Sequence, residues 1–226
     1  MDALVELIEL EAFILVGGKS SRLGRLGQHK ALLQIDGVTL AERAANTIST
    51  ALSPKEIYLV ARDENQFAAG GLPENLPVIY DQFKERGAYS GLHAALDAAK
   101  TEWVFVLACD YPLISVDLLK FLLKYLAEMI PELMEGTFDA IVPVQPDGIV
   151  QPLCAFYRAG ACLSVVEEIL RSDEKLPPLR TVFEKVRTRV VTFEEIDHLP
   201  GADNFFLNLN TPEDLEAVAP ASRRLS

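Results

Sequence analysis

Residues 13–30 read FILVGGKSSRLGRLGQHK, and their types and spacing suit the binding of a phosphate. Four apolar residues, Phe13 to Val16, run into Gly17 and Gly18. A polar loop with Ser20, Ser21, Arg22 and Gly24 follows, and Lys30 opens the next apolar run. A buried strand that stops at glycines lets backbone N–H groups face a cleft. With no Cβ in the way, phosphate oxygens can approach closely. Arg22 and Lys30 would add positive charge to the same anion. The competing reading is an ordinary strand and turn with solvated basic residues, because glycine-rich turns alone are common. Lys30 is expected to face solvent in the free protein.

A second constellation follows the apolar run WVFVLA, where Asp110 emerges within CDYPLIS. A carboxylate at the end of a buried strand costs desolvation unless something pairs with it. A divalent cation is a natural partner, since Mg²⁺ carried by a nucleotide takes only one or two protein carboxylates. Without a cation, Asp110 is expected to be unpaired, so that its loss relieves strain. The alternative makes it a turn residue ahead of a helix starting at Ser115. Asp81 ends the short run PVIYD in the same way, before a loop framed by Gly87 and Gly91. That loop opens an Ala-rich helix whose N-terminus favours anions, or serves as a plain link. Asn208 and Asn210 alternate in FFLNLNTPEDL and would share one side of a strand. They are placed either to meet a substrate or to cap the next helix. His29 and His93 are read as incidental.

The elements that must hold these residues alternate between strand and helix. Strands are expected at 12–16, 56–60, 77–80, 103–108, 138–144, 152–157, 186–193 and 205–209. Helices are expected at 38–52, 91–100, 115–129 and 161–171, with a closing helix from Thr211. This order predicts an α/β fold, a doubly wound and mostly parallel sheet covered on both faces. Such sheets bind ligands beyond the carboxyl ends of their strands, where the glycines and Asp110 fall. Segments 61–76 and 172–181 are candidates for mobile lids or partner surfaces.

The chain has 226 residues, half of them apolar, which suits one large domain. Its formal net charge of −12 and pI of about 4.7 argue against nucleic acid and anionic membrane as partners. Cys109, Cys154 and Cys162 are an odd number without a CxxC pair, so neither a disulfide framework nor a zinc site is expected. The N-terminal residues lack a signal peptide's basic start, and no run reaches membrane-spanning length, so a cytoplasmic location is expected. No GxxxxGK[ST] occurs, which excludes a P-loop GTPase.

LVGGKSSRLG followed by Lys30 resembles the LxGGxSxRMG…K signature of the MobA-like nucleotidyltransferases, and within them the molybdenum cofactor guanylyltransferases. The resemblance continues through the Gly87–Gly91 loop, LACDYPLIS, QPLCAFYR and FLNLNTPEDL. It implies a nucleotide-diphosphosugar transferase-like domain over 12–217, with an extension at 1–11 and a tail at 218–226. The implied reaction transfers GMP from Mg·GTP to the phosphate of the molybdenum–molybdopterin cofactor, releasing pyrophosphate. It further implies that Leu15, Val16, Gly17 and Gly18 hold base and phosphates, that Arg22 and Lys30 act on the triphosphate as catalytic residues, and that Asp81 contacts the nucleotide. Asp110 would bind nucleotide and Mg²⁺, while Gly91, Asn208 and Asn210 would lie toward the acceptor. Biosynthetic proteins or apo-molybdoenzymes are the protein partners the family suggests. Leu23 replaces the family's Met, and His29 its Asp before the lysine. GAYSG replaces GPLAG, and Arg62 stands where an Asn contacting the nucleotide is common. The rivals are nucleotidyl transfer to another acceptor (a cytidylyl transfer to molybdopterin, or a sugar or polyol phosphate) and an inactive nucleotide-binding homologue.

Overall fold

Nine strands and six α-helices build the described part of the chain. They run β1 (Leu10–Leu15), β2 (Gln34–Ile35), β3 (Val38–Thr39), α1 (Leu40–Leu52), β4 (Ile57–Ala61), β5 (Val78–Tyr80), α2 (Ala88–Ala98), β6 (Trp103–Ala108), α3 (Val116–Ala127), β7 (Ala140–Pro143), β8 (Cys154–Arg158), α4 (Ala159–Arg171), α5 (Thr181–Lys185), β9 (Thr188–Val191) and α6 (Phe193–Ile196). The computed structural model describes residues 8–17, 29–67, 71–83, 85–127, 138–172 and 175–211, with 214 and 218.

Seven strands form one sheet in the order β5-β4-β1-β6-β8-β7-β9. β5, β4, β1 and β6 are mutually parallel, and β7 pairs parallel with β9. β8 runs antiparallel between β6 and β7. The apolar runs that read as strands covered on both faces are so covered. Ala12, Ile14, Leu59, Phe105 and Leu107 pack beneath α1 and α3 on one face. Phe13, Tyr58, Val60, Val104 and Val106 pack beneath α2 and α4 on the other. The doubly wound, mostly parallel sheet expected from the alternation is therefore the observed one. Glu11 is a buried carboxylate within β1, and it accepts hydrogen bonds from the backbone N–H of Lys100 at 2.7 Å and of Thr101 at 3.3 Å. It thereby ties the start of β1 to the start of β6.

Several local expectations are corrected. The helix expected from 38 starts at Leu40, because Val38 and Thr39 pair with Gln34 and Ile35 around Asp36–Gly37. Both turn residues have positive φ, 51° and 81°, as an Asp-Gly hairpin turn requires. Thr39 then caps α1 reciprocally with Glu42. The strand expected at 186–193 is Thr188–Val191, followed by α6 behind a Thr192–Glu195 capping box. Residues 205–209 are not a strand. Phe205, Phe206 and Leu209 are buried as anchors of a turn, and the Leu209 N–H donates to the Asp110 carbonyl at 3.1 Å. In the described parts of 61–76, Phe67, Leu72 and Leu76 are partly buried and pack against the core. Likewise Leu176 and Leu179 pack against the other face. Among the described residues no helix is long and apolar enough to cross a membrane.

Candidate active site

Strand register puts the chemistry on one edge. Leu15 pairs with Val60 on one side and with Ala108 on the other, and Ala61 pairs with Tyr80. The next residues of each strand therefore leave the same edge together: Val16 and Gly17, then Arg62, Asp81, and Cys109 with Asp110. The chain turns outward from β1 to β4 and back to β6, so a crevice opens between β1 and β6 at the switch point. A cavity of about 440 Å³ occupies it.

Nine of the proposed site residues line this cavity: Leu15, Val16, Gly17, Lys30, Arg62, Asp81, Gly91, Asp110 and Asn210. Gly18 and Arg22 lie outside the described residues. Asn208 is not among the lining residues. His29, Glu85, Leu153 and Val60 also line the cavity. Of these, only His29 carried a signal in sequence, its place directly before Lys30.

Lys30 opens a short 3-10 turn, Lys30–Leu32, preceded by His29, whose ring accepts from the Ala31 N–H. Lys30 Nζ donates to Asp110 Oδ2 at 2.8 Å and to Asn210 Oδ1 at 3.1 Å. The expectations of a solvent-facing lysine and an unpaired aspartate are both corrected, for the side chains are 14% and 26% exposed and form an ion pair. Asn210 is placed by Asp214, whose Oδ2 accepts from the backbone N–H of Asn210 and of Thr211, each at 2.7 Å. Thr211 Oγ1 accepts from the Asp214 N–H, so the expected cap at Thr211 is present.

The other side of the cavity is shaped by close backbone approach. A Cβ on Gly17 would sit 3.1 Å from the Arg62 nitrogen. Gly91 packs α2 onto Leu15, where a Cβ would meet Leu15 Cδ1 at 3.2 Å. Gly87 precedes α2 with φ 61° and ψ −134°, a conformation open to glycine, and brings the helix's first turn to the cavity. Tyr89, one of the departures from the family pattern, points away. It is buried and donates to the Pro178 carbonyl at 3.1 Å.

Asp81 Oδ1 is buried without a hydrogen-bond partner among the described residues. Burial pushes its carboxyl up to about 6, against the pull of the Arg62 guanidinium, while Asp63 adds to the rise. Burial also pushes the Cys109 thiol up to about 12, so it is no nucleophile at neutral pH. The folded Asp81 keeps its proton to about 6 where the unfolded chain releases it near 3.8. Stability is therefore lost as pH rises through that window and stays lower above it. In the ligand-free protein, Asp81→Asn is expected to gain ~1 kcal/mol at pH 7.5, discounted for its partial exposure, and nothing at pH 4. Denaturant melts at the two pH values check this, and an equal effect at both would remove the burial account.

Among the described residues no cluster of three or more His, Cys, Asp or Glu side chains could hold a metal by itself. Asp110 and Asn210 offer two hard oxygens at one spot, a set that suits Mg²⁺ arriving with nucleotide phosphates.

Residues 12–190 match the MobA-like NTP transferase domain. The chain is 32% identical over 211 residues to a probable molybdenum cofactor guanylyltransferase of Carboxydothermus hydrogenoformans, across 92% of this chain and 94% of that protein. It is 30% identical over 208 residues to a molybdenum cofactor guanylyltransferase of Desulfosudis oleivorans, across 92% and 93%. The crystal structure of molybdopterin-guanine dinucleotide biosynthesis protein A from Archaeoglobus fulgidus shares the fold at a TM-score of 0.72 and 23% identity, over 95% of this chain and 99% of that one.

Proposed function

Because this chain belongs to the MobA-like NTP transferase family, we propose that its cavity binds GTP and transfers GMP to the phosphate of the molybdenum–molybdopterin cofactor. The observation that carries this reading is the Lys30 ammonium held between Asp110 and Asn210 beyond the ends of β1 and β6. A phosphate oxygen of the acceptor attacks the α-phosphorus of GTP in line, the bond to the β-phosphate bridging oxygen breaks, and pyrophosphate leaves. The acceptor phosphate is already ionised, so no general base is needed. The protein's task is positioning and neutralising charge. Lys30, joined by Arg22 and the glycine-loop amides, meets the charge that builds on the leaving pyrophosphate. Asp110 and Asn210 would hold Mg²⁺, which when bound supplies charge neutralisation at the phosphates. The soluble substrates suit a cytoplasmic enzyme that hands its product to molybdoenzymes.

Asp81 supports the choice of base. An ionised carboxylate only accepts hydrogen bonds. Guanine offers two adjacent donors, N1–H and the N2 amino group, on one edge. Adenine and cytosine each offer one amino group beside a ring nitrogen that repels a carboxylate. A site built to bond such donors rejects a base that lacks them. Calorimetry with Mg²⁺ is expected to give GTP an affinity at least about tenfold above ATP and CTP. Equal affinities would overturn the guanine assignment and leave the transferase reading standing. Absence of pyrophosphate release with Mg·GTP and the cofactor would overturn the reaction itself. Release with CTP or with a sugar phosphate would select the rival acceptors, for which Arg62 and Ala88 in the cavity wall are the local departures.

A further inference from the structure

Gln151 opens the run QPLCAFYR in the connection from β7 to β8, and its polar side chain is buried. The amide carries a directed set of hydrogen bonds. The Tyr111 hydroxyl donates to Gln151 Oε1 at 2.8 Å. Gln151 Nε2 donates to Gln145 Oε1 at 2.8 Å and to the Ile149 carbonyl at 3.1 Å. Gln145 Nε2 in turn donates to Asp147 Oδ2 at 2.7 Å. The side-chain bonds therefore all run one way, from Tyr111 to the exposed Asp147 carboxylate, and each donor meets an acceptor. The Gln151 backbone is held as well. Its N–H donates to the Pro143 carbonyl at 2.9 Å, and its carbonyl accepts from the Cys154 N–H at 3.0 Å. Two residues on, the Leu153 carbonyl accepts from the Ala108 N–H at 2.8 Å. The β7–β8 connection thus grips the exit of β6 on both sides of Asp110, at Ala108 and at Tyr111.

We propose that Gln151, acting through Tyr111, is a positioning residue for Asp110 and so for the cation that accompanies the nucleotide. This rests on the reading of Asp110 as the cation's carboxylate. Neither Tyr111 nor Gln151 is among the residues lining the cavity, so both act on the Asp110 backbone and not on substrate. Lys30 holds the Asp110 side chain, and the Leu209 N–H holds its carbonyl. Once phosphates draw the ammonium away, the backbone anchors keep the carboxylate on target. Mg²⁺ demands near-ideal octahedral geometry, and a ligand displaced by about 0.5 Å already leaves the productive arrangement.

Two variants and their combination test it. Tyr111→Phe deletes only the hydroxyl and keeps the ring, which meets Phe206 edge-on at 6.4 Å. Gln151→Met keeps the length and loses every hydrogen bond of the amide. Each is expected to raise the Mg²⁺ concentration for half-maximal pyrophosphate release about tenfold. Each should also cut the gain in calorimetric GTP affinity that Mg²⁺ brings, while affinity measured in EDTA stays at the wild-type value. Because both act through one bond, the double variant should shift the Mg²⁺ dependence no further than the worse single variant. Side chains with only a structural role would lower the melting temperature and the active fraction while leaving the Mg²⁺ dependence alone, and that outcome overturns the proposal. Additive shifts in the double variant overturn it too, since the two side chains would then act separately. If Gln151→Met fails to fold, Tyr111→Phe decides. A wild-type protein whose GTP binding ignores Mg²⁺ would overturn the reading of Asp110 itself, a different failure from Mg²⁺-dependent binding that both variants retain.

Discussion

Asp110→Asn is expected to lower kcat about a thousandfold or more, because it removes the one carboxylate that the β6 edge offers to the phosphates' cation. Asparagine keeps the shape and one oxygen, so the loss measures charge. Binding of GTP should also lose most of its dependence on Mg²⁺. The stability change carries the opposite sign from the one expected of an unpaired carboxylate. Asp110 is the partner of Lys30 at 2.8 Å, and its neutralisation takes that carboxylate's charge away from a partly buried ammonium. A loss of ~1–2 kcal/mol is expected, between the values for exposed and buried pairs. A thermal melt and an assay of pyrophosphate release measure the two effects together. Retained turnover would remove Asp110 from the reaction, and retained stability would remove the ion pair from the fold's energetics.

Lys30→Ala is expected to cost about a hundredfold to a thousandfold in kcat/KM, the loss of one charge-assisted contact to a leaving group. It should also lower stability by ~1–2 kcal/mol, since Asp110 and Asn210 lose their shared donor. In the free protein Lys30 sits on the carboxylate, so nucleotide binding has to draw the ammonium toward the phosphates. The double variant Lys30→Ala/Asp110→Asn gives a direct check. If the pair acts as a unit, it should melt no lower than the worse single variant. Additive losses would mean that each side chain stabilises the fold through other contacts. Normal turnover in Lys30→Ala would exclude it from catalysis.

Much of the fold and part of the site are legible in the chain. FILVGG and WVFVLACD announce two strands covered on both faces, one ending in glycines and the other in a carboxylate, and both emerge where expected. The alternation of these runs with amphipathic segments implies the doubly wound sheet, because period and length report which faces are buried. Asp36–Gly37 was equally local, yet helical periodicity beginning at Val38 hid the hairpin it makes. The run 205–209 looked like a strand because Phe205, Phe206 and Leu209 are apolar. Their burial anchors a turn instead, since whether a neighbour offers a ladder is not written in the segment itself.

What only the tertiary structure decided is which side chains meet. Lys30 and Asp110 are 80 positions apart, and Lys30 and Asn210 are 180 apart. Residue types suggested an anion-binding lysine and a cation-binding aspartate, each alone. Strand register and the return of residues 205–210 across the end of β6 made them one group. The same holds for Asp81, whose carboxyl becomes a weaker acid through burial at the cavity wall. Composition and periodicity are properties of a segment and survive in the sequence. Desolvation, ion pairing and the closing of a loop depend on distances between segments, and those exist only once the sheet has assembled.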